Sequence, residues 1–282
     1  RTVEDYFGSV SVPTQQQRVV AGDISSFSIM LALGVKPVAA YFFQGGRPAY
    51  LGADITQIPD VAGEDGVDVE KALAFSPDLL VTIVGNDGNA NFQGRYERYR
   101  QAMPTYGWMR SFASVEGYKE NVIAVARALG LEERAREITQ GLDARVVELR
   151  DRAARAGLHD VSGSQLIRIF PDSVQIRSEV LLRELDLEVE RPDQPTPYYI
   201  QLSLEQLNQL NDVHTLFVMV NPDAATGFEN LQVNPVWQAL EPVKNGRVHE
   251  IDFGLWSNID PVAINLILDD IERLLVAPAE QR

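Results

Sequence analysis

The sequence predicts an α/β protein of two Rossmann-like lobes joined by a long rigid helix, with a ligand cleft between the lobes. Three observations predict it. One phrase occurs twice, about half a chain apart: Val69-Glu70-Lys71-Ala72-Leu73-Ala74-Phe75 ahead of an apolar run at 79–84, and Leu204-Glu205-Gln206-Leu207-Asn208-Gln209-Leu210 ahead of another at 216–220. Each copy reads as a short helix opened near a glutamate, a turn, then a buried strand of parallel type. The first fifty residues run β, α, β with a crossover short enough for a parallel sheet. Between the two copies, apolar residues keep three-and-four spacing over one long helical stretch.

Taken in order, residues 1–17 are polar and Gln-rich and lead into a first strand at Arg18-Val19-Val20-Ala21. Asp23 with Ser25 and Ser26 caps a helix carrying Ile24, Phe27, Met30, Leu31 and Leu33, which stops at Gly34. A strand at 36–42 and a turn-rich loop at 44–52 follow. The strand at 79–84 ends in Gly85-Asn86-Asp87-Gly88-Asn89-Ala90-Asn91, a loop at the carboxyl end of a strand, where ligands of open α/β sheets bind. Ser114 opens the long helical stretch, with Val122, Val125, Ala126 and Leu129 on one face, a break at Gly130, and Ala135, Ile138, Leu142, Val146, Leu149 and Ala153 beyond it. From 132 to 156 it spans about 37 Å, a stiff connector. The second lobe opens on the strand Gln165-Leu166-Ile167-Arg168-Ile169-Phe170 and continues through a helix near 180–185, the second copy of the phrase and a strand at 248–251. Asp260 as N-cap and Pro261 at N1 start a last helix bearing Ile264, Ile267, Leu268, Ile271, Leu274 and Leu275, and the tail from Ala277 is expected to fray. The expected division is a first lobe at 1–113, a linking helical segment at 114–159 and a second lobe at 160–282.

With 282 residues, 45% hydrophobic and 23% charged, the chain has ample material for one large or two medium cores. Its 25 Lys and Arg against 40 Asp and Glu give a formal charge of −15, which repels phosphate backbones and anionic headgroups, so nucleic acid is not an expected partner. The absence of cysteine excludes thiol catalysis, disulfides and thiolate metal sites. No apolar run reaches membrane-spanning length and no signal-peptide pattern opens the chain, so any targeting segment is expected to have been removed.

Enzyme signatures are missing: no G-x-S-x-G, no glycine-lysine phosphate loop, no G-x-G-x-x-G and no H-E-x-x-H. His159, His214 and His249 lack helical pairing, so a structural role is expected over metal ligation. The loop at Asp87 begins like a calcium loop, but Phe92 and Arg98 stand where glycine and a bidentate carboxylate are required, which disfavours calcium. Tyr198 and Tyr199 are either phenolate ligands for bare ferric iron or, without supporting histidine and carboxylate, one packed and one exposed ring. Trp108 and Trp237 fit a core, whereas Trp256, between a strand end and a helix start, is placed to reach a cleft. Arg168 interrupts an apolar strand and must either pair within the lobe or point into a polar cavity. Arg47, Arg95 and Arg177 read as solvated loop charges.

The run Arg18-Val19-Val20, the segment from Met30 to Ala39, Glu70 through Ser76-Pro77-Asp78-Leu79-Leu80, the linking helix, Ser203-Leu204-Glu205-Gln206-Leu207 and the closing stretch from Trp256 to Leu275 resemble, in their order and spacing, the periplasmic binding proteins of iron-siderophore and vitamin B12 ABC importers, of the helical-backbone class III type. The resemblance covers nearly the whole chain. It implies a monomeric, bilobed, extracytoplasmic receptor, periplasmic or lipid-anchored through a removed N-terminal segment. Such a receptor carries a metal chelate to a permease dimer and performs no catalysis. Glu70 and Glu205 fall on the family's two permease-docking glutamates, one per lobe, which suits a pseudo-twofold receptor on a twofold partner; a helix-start acid favoured by the dipole is compatible with that role. The ligand positions it implies are Arg168, Tyr199, Trp256, Tyr198 and Phe170 from the second lobe and Trp108, Arg47 and Tyr50 from the first, with no metal ligand and no cofactor beyond the transported ferric siderophore. Glu64 stands where the B12-binding branch carries tryptophan, and no histidine lies near these positions, so cobalamin and haem are secondary readings and an α/β enzyme a more distant one. One placed arginine among several aromatics favours a hydroxamate or mixed ferric chelate over a catecholate.

Overall fold

A computed structural model of the chain describes residues 1–15, 18–43, 46–87, 89–171, 173–191, 199–258 and 260–281. The chain divides into two compact units, Arg1–Leu142 with Asn258–Asn265, and Asp143–Ser257 with Leu266–Arg282.

Unit 1 begins with an antiparallel hairpin, β1 (Thr2–Asp5) and β2 (Gly8–Ser11), in the stretch that the sequence marks only as polar. It is docked on the main sheet: the Tyr6 N–H donates to Gly107 O, and Asp5 accepts from the Gly107 N–H and the Tyr96 hydroxyl. Then come β3 (Val19–Ala21), α1 (Ile24–Ala32), β4 (Ala39–Ala40), a small hairpin of β5 (Ala62–Gly63) and β6 (Gly66–Val67), α2 (Val69–Leu73), β7 (Leu79–Asn86), α3 (Gln93–Ala102), β8 (Thr105–Arg110) and α4 (Val115–Leu129). The main sheet has the order β4-β3-β7-β8 and is parallel throughout. The chain leaves β3 to one side for β4 and returns to its other side for β7, so the strand order reverses between β3 and β7, where open α/β sheets hold their ligands. Gly22 permits this close approach, since a Cβ there would sit 2.6 Å from Thr82 Cβ. The strand expected at 36–42 shortens to two residues, because only Ala39 and Ala40 pair with β3.

Caps set the helix ends. Asp23 accepts from the Ser26 N–H, Ser114 from the Gly117 N–H, and Gly130 closes α4 at φ 74°, a left-handed conformation. The apolar stripe of α4 (Val122, Val125, Ala126, Leu129) is buried with Phe27, Met30, Tyr106 and Trp108 in the main core of the unit; each buried valine or leucine there contributes about 1.5–3 kcal/mol.

The division falls inside α5 (Glu132–Arg155), whose first turn is acidic and last turn basic, complementing the helix dipole. Unit 2 holds β9 (Ser164–Ile169), β10 (Val174–Arg177), α6 (Val180–Glu184), β11 (Tyr199–Leu202), β12 (Thr215–Val220), α7 (Ala225–Gln232), α8 (Pro235–Gln238), α9 (Glu241–Lys244), β13 (Val248–Ile251) and α10 (Phe253–Trp256). The sheet order is β11-β10-β9-β12-β13: β9, β12 and β13 are parallel, β10 and β11 antiparallel. The order reverses between β9 and β12. The second copy of the repeated phrase is a 3-10 helix, Leu204–Leu210, held by a reciprocal Ser203–Gln206 capping box. α11 (Pro261–Ile271) passes through a π turn, Glu272–Val276, into α12 (Ala277–Glu280). The tail is therefore helical where fraying was expected, because Glu280 takes two 2.9 Å bonds from the Arg152 guanidinium. Among the described residues no helix is long and apolar enough to cross a membrane.

Candidate ligand-binding site

The polar groups of unit 2 collect on one face of its sheet. Residues paired across a ladder share a face, and Arg168 pairs with Gln175 on β10 and Met219 on β12, while Arg177, two residues along β10, pairs with Tyr199 on β11. Arg168, Arg177 and Tyr199 therefore share one side. Ile167, Ile169, Val174, Ile176, Leu216 and Val218 take the other and pack with Leu207, Leu210 and Trp237.

Arg168 lies at the strand-order reversal. Its Nε donates to Asn221 Oδ1 at 2.5 Å, just past the end of β12, and its guanidinium sits 4.9 Å from the Phe170 ring centroid and 4.6 Å from that of Phe253. Burial, then the neighbouring Arg177, holds its pKa below the usual arginine value, with Asp223 opposing. Arg177 lies over Tyr199 at 5.2 Å and donates from Nη2 to the Tyr199 hydroxyl at 3.4 Å, and its buried Nε has no hydrogen-bond partner among the described residues. Tyr199 is 55% exposed. Among the described residues both guanidiniums thus hydrogen-bond to neutral groups, leaving planar donor forks on aromatic pads, an arrangement that accepts an anionic, oxygen-rich ligand. The sequence reading of Arg177 as a solvated loop charge does not hold, since it ends β10; Arg95 likewise lies on α3, bound to Asp65.

At the strand-order reversal of unit 1 the polar groups satisfy one another. Asp23, 7% exposed, accepts from the Ser26 N–H (2.7 Å), the Ser26 hydroxyl (2.7 Å) and the Ile83 N–H (2.8 Å). Burial pushes its pKa up, while those bonds and Arg110 oppose the rise. Trp108 Nε1 donates to Ser26 Oγ at 2.9 Å, and Arg110 donates to Asn86 Oδ1 (2.8 Å) and Ser25 Oγ (3.3 Å) beside the Phe112 ring. Arg110 escaped the sequence reading. Its signal was the one that marked Arg168, an arginine at the carboxyl end of an apolar strand.

Two aromatic expectations are corrected by burial. Trp256 is 2% exposed, stacked on Phe217 at 5.1 Å with Nε1 donating to Asp270 Oδ2 at 3.0 Å. One turn of α10 turns Phe253, not Trp256, toward Arg168. Trp108 is also 2% exposed and belongs to the core. Arg47 ties its loop to Ile58 O at 2.9 Å and stacks on Phe42 at 4.4 Å, and the Tyr50 hydroxyl donates to the buried Asp260 at 2.5 Å, so both serve the packing of unit 1. Phe170 is half-buried beneath Arg168. Tyr198 lies outside the described residues. Glu70 and Glu205 are exposed in the first turns of their helices; the Glu205 pKa is lowered by its own backbone N–H and by the Ser203 hydroxyl. Among the described residues no three His, Cys, Asp or Glu side chains converge to hold a metal ion. His159 meets Leu185 O and His214 meets Thr215 Oγ1, while burial lowers the pKa of His249 beside Phe217.

Each of the two α/β units thus gathers polar groups at a strand-order reversal, the place where open α/β sheets hold their ligands. Residues 19–255 match the model of the periplasmic binding protein family, and the chain belongs to that family. It is 26% identical over 292 residues to the probable siderophore-binding lipoprotein YfiY of Bacillus subtilis, covering 96% of this chain and 86% of that one. Its fold matches Staphylococcus aureus SirA complexed with staphyloferrin B, with TM-score 0.77, 20% identity and 98% of each chain covered. It likewise matches the Bacillus subtilis triscatecholate siderophore-binding protein FeuA complexed with ferri-bacillibactin, with TM-score 0.73, 20% identity, and 97% of this chain and 98% of that one covered.

Proposed function

We propose that the protein is an extracytoplasmic receptor that captures a ferric siderophore and delivers it to the permease of an ABC importer. The observation that carries this reading is the pair Arg168 and Arg177 on one sheet face, with aromatic pads and, among the described residues, no acid in hydrogen-bond contact. Family membership and the siderophore-binding relatives support it. The iron stays wrapped by the siderophore as cargo, and the protein meets the chelate's outer oxygens and carbon skeleton. The preference for hydroxamate rested on a single placed arginine. A second guanidinium on the same face moves the preference toward chelates with net negative charge, catecholate, carboxylate or mixed, because two like charges held together are stabilised most by an anion between them.

The test is titration of the purified protein with ferric tris-catecholate, ferric citrate, a ferric hydroxamate, cobalamin and haemin, followed by fluorescence quenching. Tightest binding of an anionic ferric chelate, weakened in Arg168→Ala, is expected. Preference for cobalamin or haemin overturns the siderophore reading, and preference for the hydroxamate overturns the charge argument alone. For delivery, Glu70→Lys and Glu205→Lys should each impair uptake in cells while chelate affinity changes less than about twofold, as expected for exposed groups. A comparable loss of chelate affinity would remove both residues from docking.

A further inference from the structure

The strand that carries Arg177 runs directly into two acids, Glu179 buried and Glu188 half-buried, that the ligand reading does not use. Ser178 and Glu179 follow Arg177, and α6 begins at Val180 with Glu179 as its N-cap, accepting from the Leu181 N–H at 3.3 Å. Glu188 arrives from beyond α6 on a segment pinned to the start of β9, where Ser164 N–H donates to Leu187 O at 2.6 Å and Val189 N–H to Ser164 O at 2.9 Å. Its carboxylate turns back onto the same residues: Oε1 accepts from the Glu179 N–H at 2.5 Å and Oε2 from the Ser178 hydroxyl at 3.0 Å. Glu179 is 8% exposed.

Two carboxyl groups thus share one site behind a ligand-facing arginine. The charged groups around them are few. Arg183 on α6 donates to the Ser178 hydroxyl and acts on both acids; Arg177 acts on Glu179, and Glu179 acts on Glu188, whose carboxylate holds the Glu179 N–H. On the far side, Gln165 donates to the Arg177 carbonyl at 2.7 Å and accepts from Arg191 Nε at 3.0 Å, so the backbone of Arg177 is fixed from both flanks. Burial pushes Glu188 up to about 7, and burial likewise raises Glu179, with Arg177 and Arg183 opposing. The charge on Glu179 raises Glu188 further, so ionisation of one acid disfavours ionisation of the other.

We propose that the buried Glu179 and the half-buried Glu188, joined through the Glu179 N–H and Ser178, form a carboxylate pair that takes up a proton from solvent when an anionic chelate docks on Arg168 and Arg177, and returns it on release. The argument is electrostatic linkage. In the free protein the positive charge of Arg177 favours the ionised form of Glu179, and through it sets the charge on Glu188. An anion on Arg177 cancels that field and leaves two neighbouring negative charges without it, so the pair binds a proton. Chelate affinity therefore rises as pH falls through neutrality.

The inference rests on the ligand reading of the arginines, so two measurements separate it from that reading. In the free protein, carbon-13 detection of glutamate carboxyls, assigned with Glu179→Gln and Glu188→Gln, should show a step near neutral pH. Arg177→Met, which removes the charge as a docked anion would, should move that step upward by about 0.5 or more. An unmoved step refutes the coupling whatever the ligand is. In the second measurement, ferric tris-catecholate is titrated calorimetrically at pH 7 in two buffers of different ionisation enthalpy. The wild type should take up about 0.3 to 1 proton more than Glu188→Gln, with chelate affinity retained within about threefold. Equal proton uptake in the two proteins refutes the inference. Should no ferric chelate bind, the siderophore reading fails, and the carbon-13 result alone then decides the carboxylate coupling.

Discussion

The two strand-order reversals of this chain hold the same kinds of residue in opposite electrostatic states. At the end of β3 in unit 1, Asp23 receives three hydrogen bonds and Arg110 spends its donors on Asn86 and Ser25. At the end of β9 in unit 2, Arg168 is partly desolvated beside a second arginine, and among the described residues one neutral amide oxygen is its acceptor. The first arrangement is closed and contributes to folding. The second leaves donor capacity unspent, which costs stability and is retained where a ligand supplies the missing acceptors. Polar residues at a sheet end therefore do not by themselves mark the ligand-contacting group, and the separating quantity is how much of each donor's capacity the protein already uses.

The largest expected effect lies in the core that borders the open site. Trp256→Ala should destabilise unit 2 by about 3–5 kcal/mol in chemical denaturation, whereas Phe253→Ala, on the same short helix but half-exposed, should cost far less while weakening chelate binding. If Trp256→Ala leaves stability intact, the assignment of the two aromatics is reversed. Next comes Asp23→Ala, which strands three donors in the closed network and should cost about 2–4 kcal/mol of stability; a near-neutral result would show that unit 1 is open as well.

Arg168→Ala probes the open site directly. It should leave stability unchanged or improved and weaken an anionic ferric chelate roughly tenfold to a hundredfold, the equivalent of about 1.5–3 kcal/mol. Loss of folding without loss of affinity would make Arg168 structural. The smallest effect is a pH dependence of stability. Because the folded pKa of Glu188 is raised to about 7, the folded state binds a proton more tightly than the unfolded chain. Its contribution is fully present below the unfolded value, about 4.3, and is lost as pH rises to about 7. Wild-type stability should fall across that window by on the order of 1–3 kcal/mol attributable to this group, and Glu188→Gln should flatten the fall. An unchanged slope in the variant would place the titrating group elsewhere.

Much of the scaffold was legible in the residues. Asp23, Ser114, Gly130 and Asp260 announce helix boundaries through short-range hydrogen bonding and backbone conformation, and the structure places caps at each. The site was legible only in part. Arg168 stands out because a charge inside an apolar strand is costly in any fold. Arg177 does not, since its proximity to Arg168 depends on the register of β10 against β9, a pairing between distant segments. Trp256 was expected in the cleft because it lies between a strand end and a helix start, while the ring that faces Arg168 is settled by the phase of a four-residue helix.

By itself, then, the sequence determined the two α/β halves and the long helix, because periodicity, capping and a repeated phrase are local signals written in consecutive residues, and its resemblance to known motifs in order and spacing pointed to the family. Only the tertiary structure decided that a second arginine shares the face of Arg168, that both candidate tryptophans are core side chains, and that two glutamates nine residues apart meet behind Arg177. Each of these depends on strand register or on a turn that brings separate segments together, and the cost of burying a charge is set by the neighbours that result.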